Sequence, residues 1–308
     1  MKTELVVTAH SYDHIQHLLD AGADAIVVGE SRFGLRLPGE FSIEEIKQAS
    51  TLVRTSGKKL YVAVNAIFHN EHIEELEAYM TTLQSFSIDR LIFGDPAVIQ
   101  INRQLDEPFE LTWNAETTAT NWFTANYWGK RGAKRAVLAR ELNLDEILEM
   151  KEHATVELEV QVHGMTCMFQ SKRALIGNYF MYLQQAMKIE PQHSTGMMSL
   201  YDKERDQYYP ILEDSNGTHI FSPRDICLVE ELSELLEAGV DAFKIDGILH
   251  EEAYVTEVTK RYRQAIDAYY QSAETYEEIK ENLADQLNEI QPRHRKMDTG
   301  FLWKETVY

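Results

Sequence analysis

Short apolar runs alternate with amphipathic segments over most of this chain, and this alternation is what most limits its possible folds. Eight of the runs have the length of buried strands, and the segments between the first seven space their apolar residues as helices do. Alternating strands and helices form parallel sheets that the helices cover. We expect strands at Leu5–Ala9, Ala25–Gly29, Leu60–Asn65, Arg90–Gly94, Leu111–Ala115, Ala136–Ala139, Val156–Val162 and Ala242–Ile245.

Eight such units favour a closed barrel over an open, doubly wound sheet, which remains the alternative. The predicted class is α/β, a (β/α)8 TIM-like barrel, which needs roughly 250 residues. The 308 residues leave room for extensions. We predict that residues 1–270 form the barrel, with a long insertion at 172–222 after strand 7 that contains a small hairpin. A C-terminal helix and tail, 271–308, would pack on the barrel.

Composition bounds the location and the partners. No apolar run reaches the roughly 18 residues of a membrane span, and the N-terminus does not resemble a signal peptide, so we expect a cytoplasmic protein. The formal net charge of −20 opposes non-specific binding of nucleic acid. Local basic clusters are still present, at 130–135, 261–263 and 293–296.

Polar residues follow the predicted strands at the end where barrel enzymes carry their active sites. Each also has a structural interpretation: Asp95 precedes a proline and could cap a helix, Arg140 could pair with Glu141, and Asp246 could bind loop backbone. The ring as a whole indicates a pocket more strongly than any one member. Its members are Glu30, Asn65, Asp95, Glu116, Arg140, Glu141, His163, Cys167 and Asp246.

His163 and Cys167 stand at the end of the seventh predicted strand, and three interpretations stay open. They could be a base and a nucleophile, if the imidazole lies within hydrogen-bond reach of the sulfur. They could supply two metal ligands. Cys167 could also be a half-buried thiol that packs like a small apolar residue. The chain has no P-loop, dinucleotide fingerprint, H-E-x-x-H or G-x-S-x-G motif.

The stretch "EVQVHGMTCMFQSKRAL" resembles the signature of the collagenase-like peptidase family, also called peptidase family U32. Four further segments resemble motifs of that family in the same order along the chain. They are "ESRFGLRLPGEFS" with Arg36, "WNAETTATNWFTANYWGKRGAKRAVLARELNLDEI" with Asn114, "SPRDICLVEELSELLEAGVDAFKIDGIL", and "RHRKMDTGFLW". The resemblance therefore covers nearly the whole chain.

The resemblance implies a role in RNA modification. Some members serve 5-hydroxylation of the wobble uridine of tRNA, use prephenate as a co-substrate, and carry four cysteines for an iron–sulfur cluster. This chain departs from that pattern, since Ala174 occupies the second cysteine position and only Cys167 and Cys227 are present. We expect no cluster within this chain, and we expect it to act beside a longer, cysteine-rich paralogue as a hetero-oligomer.

The expected function is thus a subunit needed for wobble-uridine hydroxylation, with tRNA as a second expected partner. The alternatives are a metal- or thiol-dependent collagenase-like peptidase and a non-catalytic scaffold for a partner enzyme. The catalytic candidates are His163, Cys167, Glu116 and Arg140, with no metal ligand assigned. The candidates for binding an anionic small molecule or RNA phosphate are Arg36, Asn65, Asn114, Glu141 and Asp246.

Overall fold

A computed structural model describes residues 2–114, 118–183 and 198–305. Within them, twelve strands form one sheet. In chain order they are β1 (Glu4–Thr8), β2 (Ala25–Val28), β3 (Lys59–Val64), β4 (Arg90–Phe93), β5 (Glu110–Trp113), β6 (Ala133–Val137), β7 (Glu157–Ser171), β8 (Met198–Asp202), β9 (Gln207–Asp214), β10 (Gly217–Cys227), β11 (Ala242–Ile245) and β12 (Lys296–Asp298).

Eight parallel strands close into a barrel. Strands β1 to β7 follow one another around it, and β11 pairs with β1 on one side and with β7 on the other, with Ala242 beside Glu159. All eight predicted strands are present, and the (β/α)8 prediction is confirmed. The open-sheet alternative is wrong, because the β7–β11 pairing closes the eight parallel strands on themselves.

Ten α-helices lie among the described residues, and most of them cover the barrel. They are α1 (Tyr12–Asp20), α2 (Ile43–Thr55), α3 (Ile73–Leu83), α4 (Pro96–Asn102), α5 (Trp122–Gly129), α6 (Leu144–His153), α7 (Leu175–Tyr182), α8 (Leu232–Glu237), α9 (Glu252–Gln271) and α10 (Ala273–Ile290). A short 3₁₀ turn, Asn70–His72, precedes α3. The predicted cap at Ser42 is confirmed as a reciprocal capping box with Glu45.

The lower interior of the barrel, at the amino ends of the strands, is charged. Arg135 is buried there and donates hydrogen bonds to Glu4 (2.9 Å), Glu157 (2.9 Å) and Glu159 (3.2 Å). Three carboxylates surround one guanidinium, and Tyr61 adds a hydroxyl bond to Glu4. Arg90 pairs with Glu157 at 2.7 Å and Lys59 pairs with Glu4 at 2.5 Å, so three cations face the three carboxylates, as burial of ions requires.

Strand β7 corrects the prediction that His163 and Gly164 end a strand. The strand continues to Ser171, and beyond the barrel it pairs antiparallel with β10, which pairs with β9, which pairs with β8. The predicted hairpin is confirmed as β8 and β9. The 172–222 insertion is thus largely a sheet that extends upward from the barrel wall, and its residues 184–197 lie outside the described part.

The C-terminal segment returns to the barrel. After α9 and α10, β12 pairs in parallel with β10, placing Lys296 beside Arg224. Behind this pairing, the buried Asp225 accepts hydrogen bonds from Gln291 (2.6 Å) and Arg295 (3.3 Å). None of the helices in the described ranges is both long enough and apolar enough to cross a membrane. The division into residues 1–270 and 271–308 stays a prediction.

Candidate functional site

The inward-facing side chains lie in layers, which the strand register defines. One layer contains Lys244, Val27, Ile92 and Val137, taken from alternate strands. The layer above it, nearer the carboxyl ends, contains Thr8, Ala63, Asn114 and Gln161. Above that, the inward positions include Gly29, Gly94 and Asp246. The side chain of Leu37, from the loop after β2, fills part of the space between these upper layers, since its Cδ1 lies 2.8 Å from where a Cβ of Gly29 would be.

Lys244 is the central cation of this upper barrel, and we did not foresee it from the sequence. It is buried, and its Nζ lies 3.0 Å from Asp246 Oδ2. The other carboxylate oxygen of Asp246 accepts a hydrogen bond from the backbone N–H of Ile248 at 3.1 Å. Asp246 therefore binds both the lysine and the backbone of its own loop. The second contact is the structural role that the sequence suggests for it. The sequence signal was present, since Lys244 and Asp246 alternate within a buried strand.

Two buried polar atoms of the barrel interior have no hydrogen-bond partner among the described residues. Asn114 Oδ1 lies in the layer above Lys244, and Thr112 Oγ1 lies in the layer below it, with Tyr61 and Glu159. An unsatisfied buried polar atom costs about 1–3 kcal/mol. Native proteins rarely leave such atoms unpaired, so these two indicate a place where a bound water or ligand supplies the missing partner.

Arg140 lies at the carboxyl end of β6. Its Nε donates to Gln161 Oε1 at 2.6 Å, and the Gln161 amide in turn donates to the carbonyl of Met165 at 2.9 Å. Arg140 and Gln161 line a small cavity of about 30 Å³ together with Thr299 and Phe301 of the C-terminal segment. This participation of the tail was not predicted. The neighbouring Glu141 is exposed.

The loop after β2 folds over the mouth and carries Arg36. Asn65 Oδ1 accepts a hydrogen bond from the Leu35 N–H at 2.9 Å, which anchors the loop on β3. Arg36 has a φ of 52°, a strained value for a residue with a side chain. Its guanidinium donates to Gln170 at 2.7 Å and lies 3.5 Å from His219, so it bridges the loop and the upper sheet.

His163 points away from the mouth, toward helix α9. Its Nε2 lies 2.8 Å from the Tyr254 hydroxyl, and its ring meets Tyr262 edge to face. Burial lowers the pKa of His163 to about 3, so the ring is neutral at physiological pH. Gly164, with a φ of 106°, follows the irregular register between β7 and β11 at Val162 and precedes the irregular register with β10 beyond Met165.

Cys167 lies apart from His163. Its Sγ donates to the carbonyl of Phe169 at 3.3 Å, and it packs with Met165, Leu212 and Phe221 in a separate apolar cluster. The Nδ1 of His163 has no hydrogen-bond partner among the described residues. The structure therefore does not assemble these two residues as a nucleophile and a base.

The two cysteines also do not fit a shared iron–sulfur site. Cys227 lies under α9, where it accepts a hydrogen bond from the Tyr262 hydroxyl at 3.7 Å, and burial raises the pKa of its thiol to about 11. Cluster ligands are thiolates. A protonated thiol under α9 and Cys167 in a different cluster do not converge on one cofactor. Across residues 2–114, 118–183 and 198–305, no group of three metal-ligating acidic, His or Cys side chains comes together.

Three other predicted residues need no ligand or cannot be placed. Asp95 caps α4 by accepting from Ala97 N–H at 2.9 Å, which is its structural interpretation. Glu30 accepts from Arg32 at 2.8 Å. Glu116 lies outside the described residues. The mouth therefore brings together Arg36, Asn65, Asn114, Arg140 and Asp246 from the prediction, and it adds Gln161 and Lys244.

Comparison with known proteins identifies the family of this chain. The family model described as "Peptidase family U32" matches residues 10–307. The "tRNA hydroxylation protein P2" of Bacillus subtilis strain 168 is 54% identical over 307 residues, which cover 100% of this chain and 99% of that protein. The "tRNA hydroxylation protein P1" of the same organism is 30% identical over 89% of this chain, and the match covers 65% of that longer protein.

A solved structure supports the fold. The U32 peptidase Mk0906 superposes with a TM-score of 0.52 at 15% identity, covering 79% of this chain and 92% of that one. At that identity the likeness concerns architecture alone.

Proposed function

The chain belongs to peptidase family U32, and within that family we propose that it is a subunit required for 5-hydroxylation of the wobble uridine of tRNA. The observation that carries this proposal is the 54% identity, over the whole chain, to a protein named for tRNA hydroxylation. Identity at this level, spread from end to end, supports a shared role more strongly than the family label does.

The geometry of the mouth supports a binding role for an anionic small molecule. Lys244 lies within the barrel, and Arg140 and Arg36 lie at its rim. Guanidinium groups bind carboxylates through paired hydrogen bonds. The open acceptors of Asn114 and Thr112 lie in the same interior. Prephenate, which has two carboxylates, is our candidate co-substrate for this pocket.

The peptidase alternative has less support from the site. A thiol mechanism needs the Cys167 sulfur within reach of a base, and His163 instead bonds Tyr254. The scaffold alternative differs from both, because it predicts that substitutions in the mouth leave cellular function unchanged.

The test is mass spectrometry of tRNA nucleosides from a strain that lacks this gene and other routes to 5-hydroxyuridine. We expect the wild-type gene to restore the modification. Arg140→Ala should lower it by at least about tenfold, because a charge-assisted hydrogen bond to the ligand is lost. Arg54→Ala, an exposed helix arginine that bonds Ser87, is the matched control and should restore it fully.

Two results would contradict the proposal. Unchanged 5-hydroxyuridine in the deletion strain would remove the role in hydroxylation. Full complementation by Arg140→Ala and by Lys244→Met would favour the scaffold alternative over a working pocket.

A further inference from the structure

The last described segment combines exposed aromatic rings and exposed basic side chains beside the mouth. Phe301 and Trp303 are 49% and 55% exposed. Lys304 Nζ lies 4.5 Å from the centre of the Phe301 ring. The exposed basic and aromatic residues of this segment, here called the tail surface, are Arg293, His294, Lys296, Phe301, Trp303 and Lys304.

The tail surface is held rigidly by residues that alternate with its members. Arg295 is buried against Asp225, while the next residue, Lys296, is exposed. Leu302 is buried, and its carbonyl accepts a hydrogen bond from Leu144 N–H at 2.9 Å. The burial of Leu302 forces its two neighbours, Phe301 and Trp303, outward. The rings are therefore presented by a fixed backbone.

The turn that carries Phe301 is tightly built. Gly300 has a φ of 61°, and its N–H donates to Asp298 Oδ1 at 2.9 Å. The same carboxylate group pairs with Arg224 at 3.4 Å, so its negative charge is partly compensated. Phe301 lines the small cavity with Arg140, which connects the tail surface to the candidate pocket.

The charge of the tail surface favours RNA over protein as its binding partner. The whole chain carries −20, so most of its surface repels a polyanion. The tail surface has three exposed side chains that are always positive, those of Arg293, Lys296 and Lys304, and they outnumber the two carboxylates of the segment, the exposed Glu305 and the partly exposed Asp298. Aromatic rings interleaved with Lys and Arg are the pattern that binds single-stranded nucleic acid, because bases stack on the rings and the cations contact phosphates.

We propose that the tail surface binds a single-stranded loop of RNA, with Phe301 and Trp303 stacking on unpaired bases and Lys296 and Lys304 contacting phosphates. This inference rests on the proposed function and deepens it, because it identifies the face through which the RNA substrate approaches the mouth. The overall acidity of the protein then confines RNA to this face.

The experiment measures binding of a fluorescein-labelled anticodon stem-loop RNA by anisotropy, using the full chain alone and in complex with its longer paralogue. We expect Phe301→Ala and Trp303→Ala each to weaken binding by about tenfold, whereas Phe301→Tyr keeps the stacking ring and stays near wild type. The slope of log affinity against log salt concentration reports how many ions are released on binding. Lys296→Ala and Lys304→Ala should each lower the magnitude of this slope by about one. A fully paired RNA of the same stem should respond little to the aromatic substitutions.

The controls lie away from the tail surface. Tyr127→Ala removes another exposed ring, near the carboxyl end of α5 and thus at the opposite end of the barrel, and Lys47→Ala removes an exposed lysine on α2. Both should bind RNA as wild type does. Thermal unfolding of each variant checks that the fold is kept.

Three outcomes would overturn the inference. They are wild-type RNA affinity in Phe301→Ala and Trp303→Ala, no RNA binding by the wild-type chain in either form, and loss of paralogue co-purification with RNA affinity unchanged, which would make the surface a protein interface. The two proposals can fail separately. Suppose that RNA binding depends on Phe301 but deletion of the gene leaves 5-hydroxyuridine unchanged. The hydroxylation role would then be refuted, while the proposal that the tail surface binds RNA would stand.

Discussion

At the scale of single residues, His163 shows how a chemically suggestive side chain can have a structural role. In the sequence His163 lies close to Cys167, but in the structure its ring packs under α9 between Tyr254 and Tyr262. Its neutral form is fixed by burial, as is that of His14, whose pKa burial and the neighbouring His10 lower to about 4. These two residues make stability depend on pH.

The sign of that dependence follows from proton binding. Between about pH 6.5 and pH 4 the unfolded chain takes up a proton at each histidine, while the folded protein leaves His163 neutral. Acidification therefore favours unfolding in this range. We predict that His163→Gln reduces the pH slope of the unfolding free energy by about 1.4 kcal/mol per pH unit.

Urea denaturation at a series of pH values measures this slope. His294→Gln, at an exposed position, is the control and should leave it unchanged. An identical slope in His163→Gln and the wild type would show that His163 is not held neutral in the folded state.

At the scale of elements, the barrel strands could be predicted because each is a short apolar run between turn signals. The continuation of β7 could not, because Gly164 looks like a strand end. Its φ of 106° is instead accommodated inside a continuous strand, which has an irregular register with β11 nearby, at Val162. That local change of register affects which way His163 points, and no sequence period reports it.

The candidate site could likewise be predicted from the sequence only in part. The rim residues Asn65, Arg140 and Asp246 could be found from strand ends. Lys244 lies two residues before Asp246 on β11, one layer deeper in the barrel, and the sequence pattern predicts it only as an ordinary strand residue. The contribution of Phe301 depends on a contact with Arg140 across more than half of the chain, which only the closed fold reveals.

Gly164 gives a prediction about the closure of the barrel. A Cβ at this position would lie 2.2 Å from the carbonyl oxygen of Asp246, beyond the end of β11. Gly164→Ala should therefore lower the unfolding free energy by at least about 3 kcal/mol, since the contact is with backbone that cannot move away freely.

The matched control is Gly57→Ala. Gly57 also has a positive φ, of 66°, but a Cβ there meets nothing within 4 Å. It should cost only about 1–2 kcal/mol, the conformational penalty alone. Equal losses in the two variants, measured by urea denaturation, would mean that the β7–β11 junction has more space than the structure gives it.

At the scale of the whole molecule, the separation of the two cysteines predicts how cofactor content is divided. Cys167 and Cys227 lie in different clusters and cannot hold a four-thiolate cluster together. We predict that the purified chain contains no stoichiometric iron or sulfide. Co-expression with the longer, cysteine-rich paralogue should give a complex that contains both.

Iron and sulfide assays on the single chain and on the complex test this prediction, with size-exclusion chromatography to establish the assembly. Stoichiometric iron and sulfide in the single chain would refute it. A paralogue that carries its cluster but never co-elutes with this chain would refute the expected hetero-oligomer.

The position of β11 in the barrel has a consequence for synthesis of the protein on the ribosome. Strands β1 and β7 each need β11 as a neighbour, yet residues 172 to 241 are made between β7 and β11. Until β11 emerges, the nascent sheet has two unpaired edges, and such edges pair readily with other chains. Strand β10 is made in this interval, but it pairs with the opposite side of β7, because His163 faces Cys227 of β10 and Ile245 of β11 at once. The insertion therefore leaves the edge that waits for β11 open until β11 itself is made.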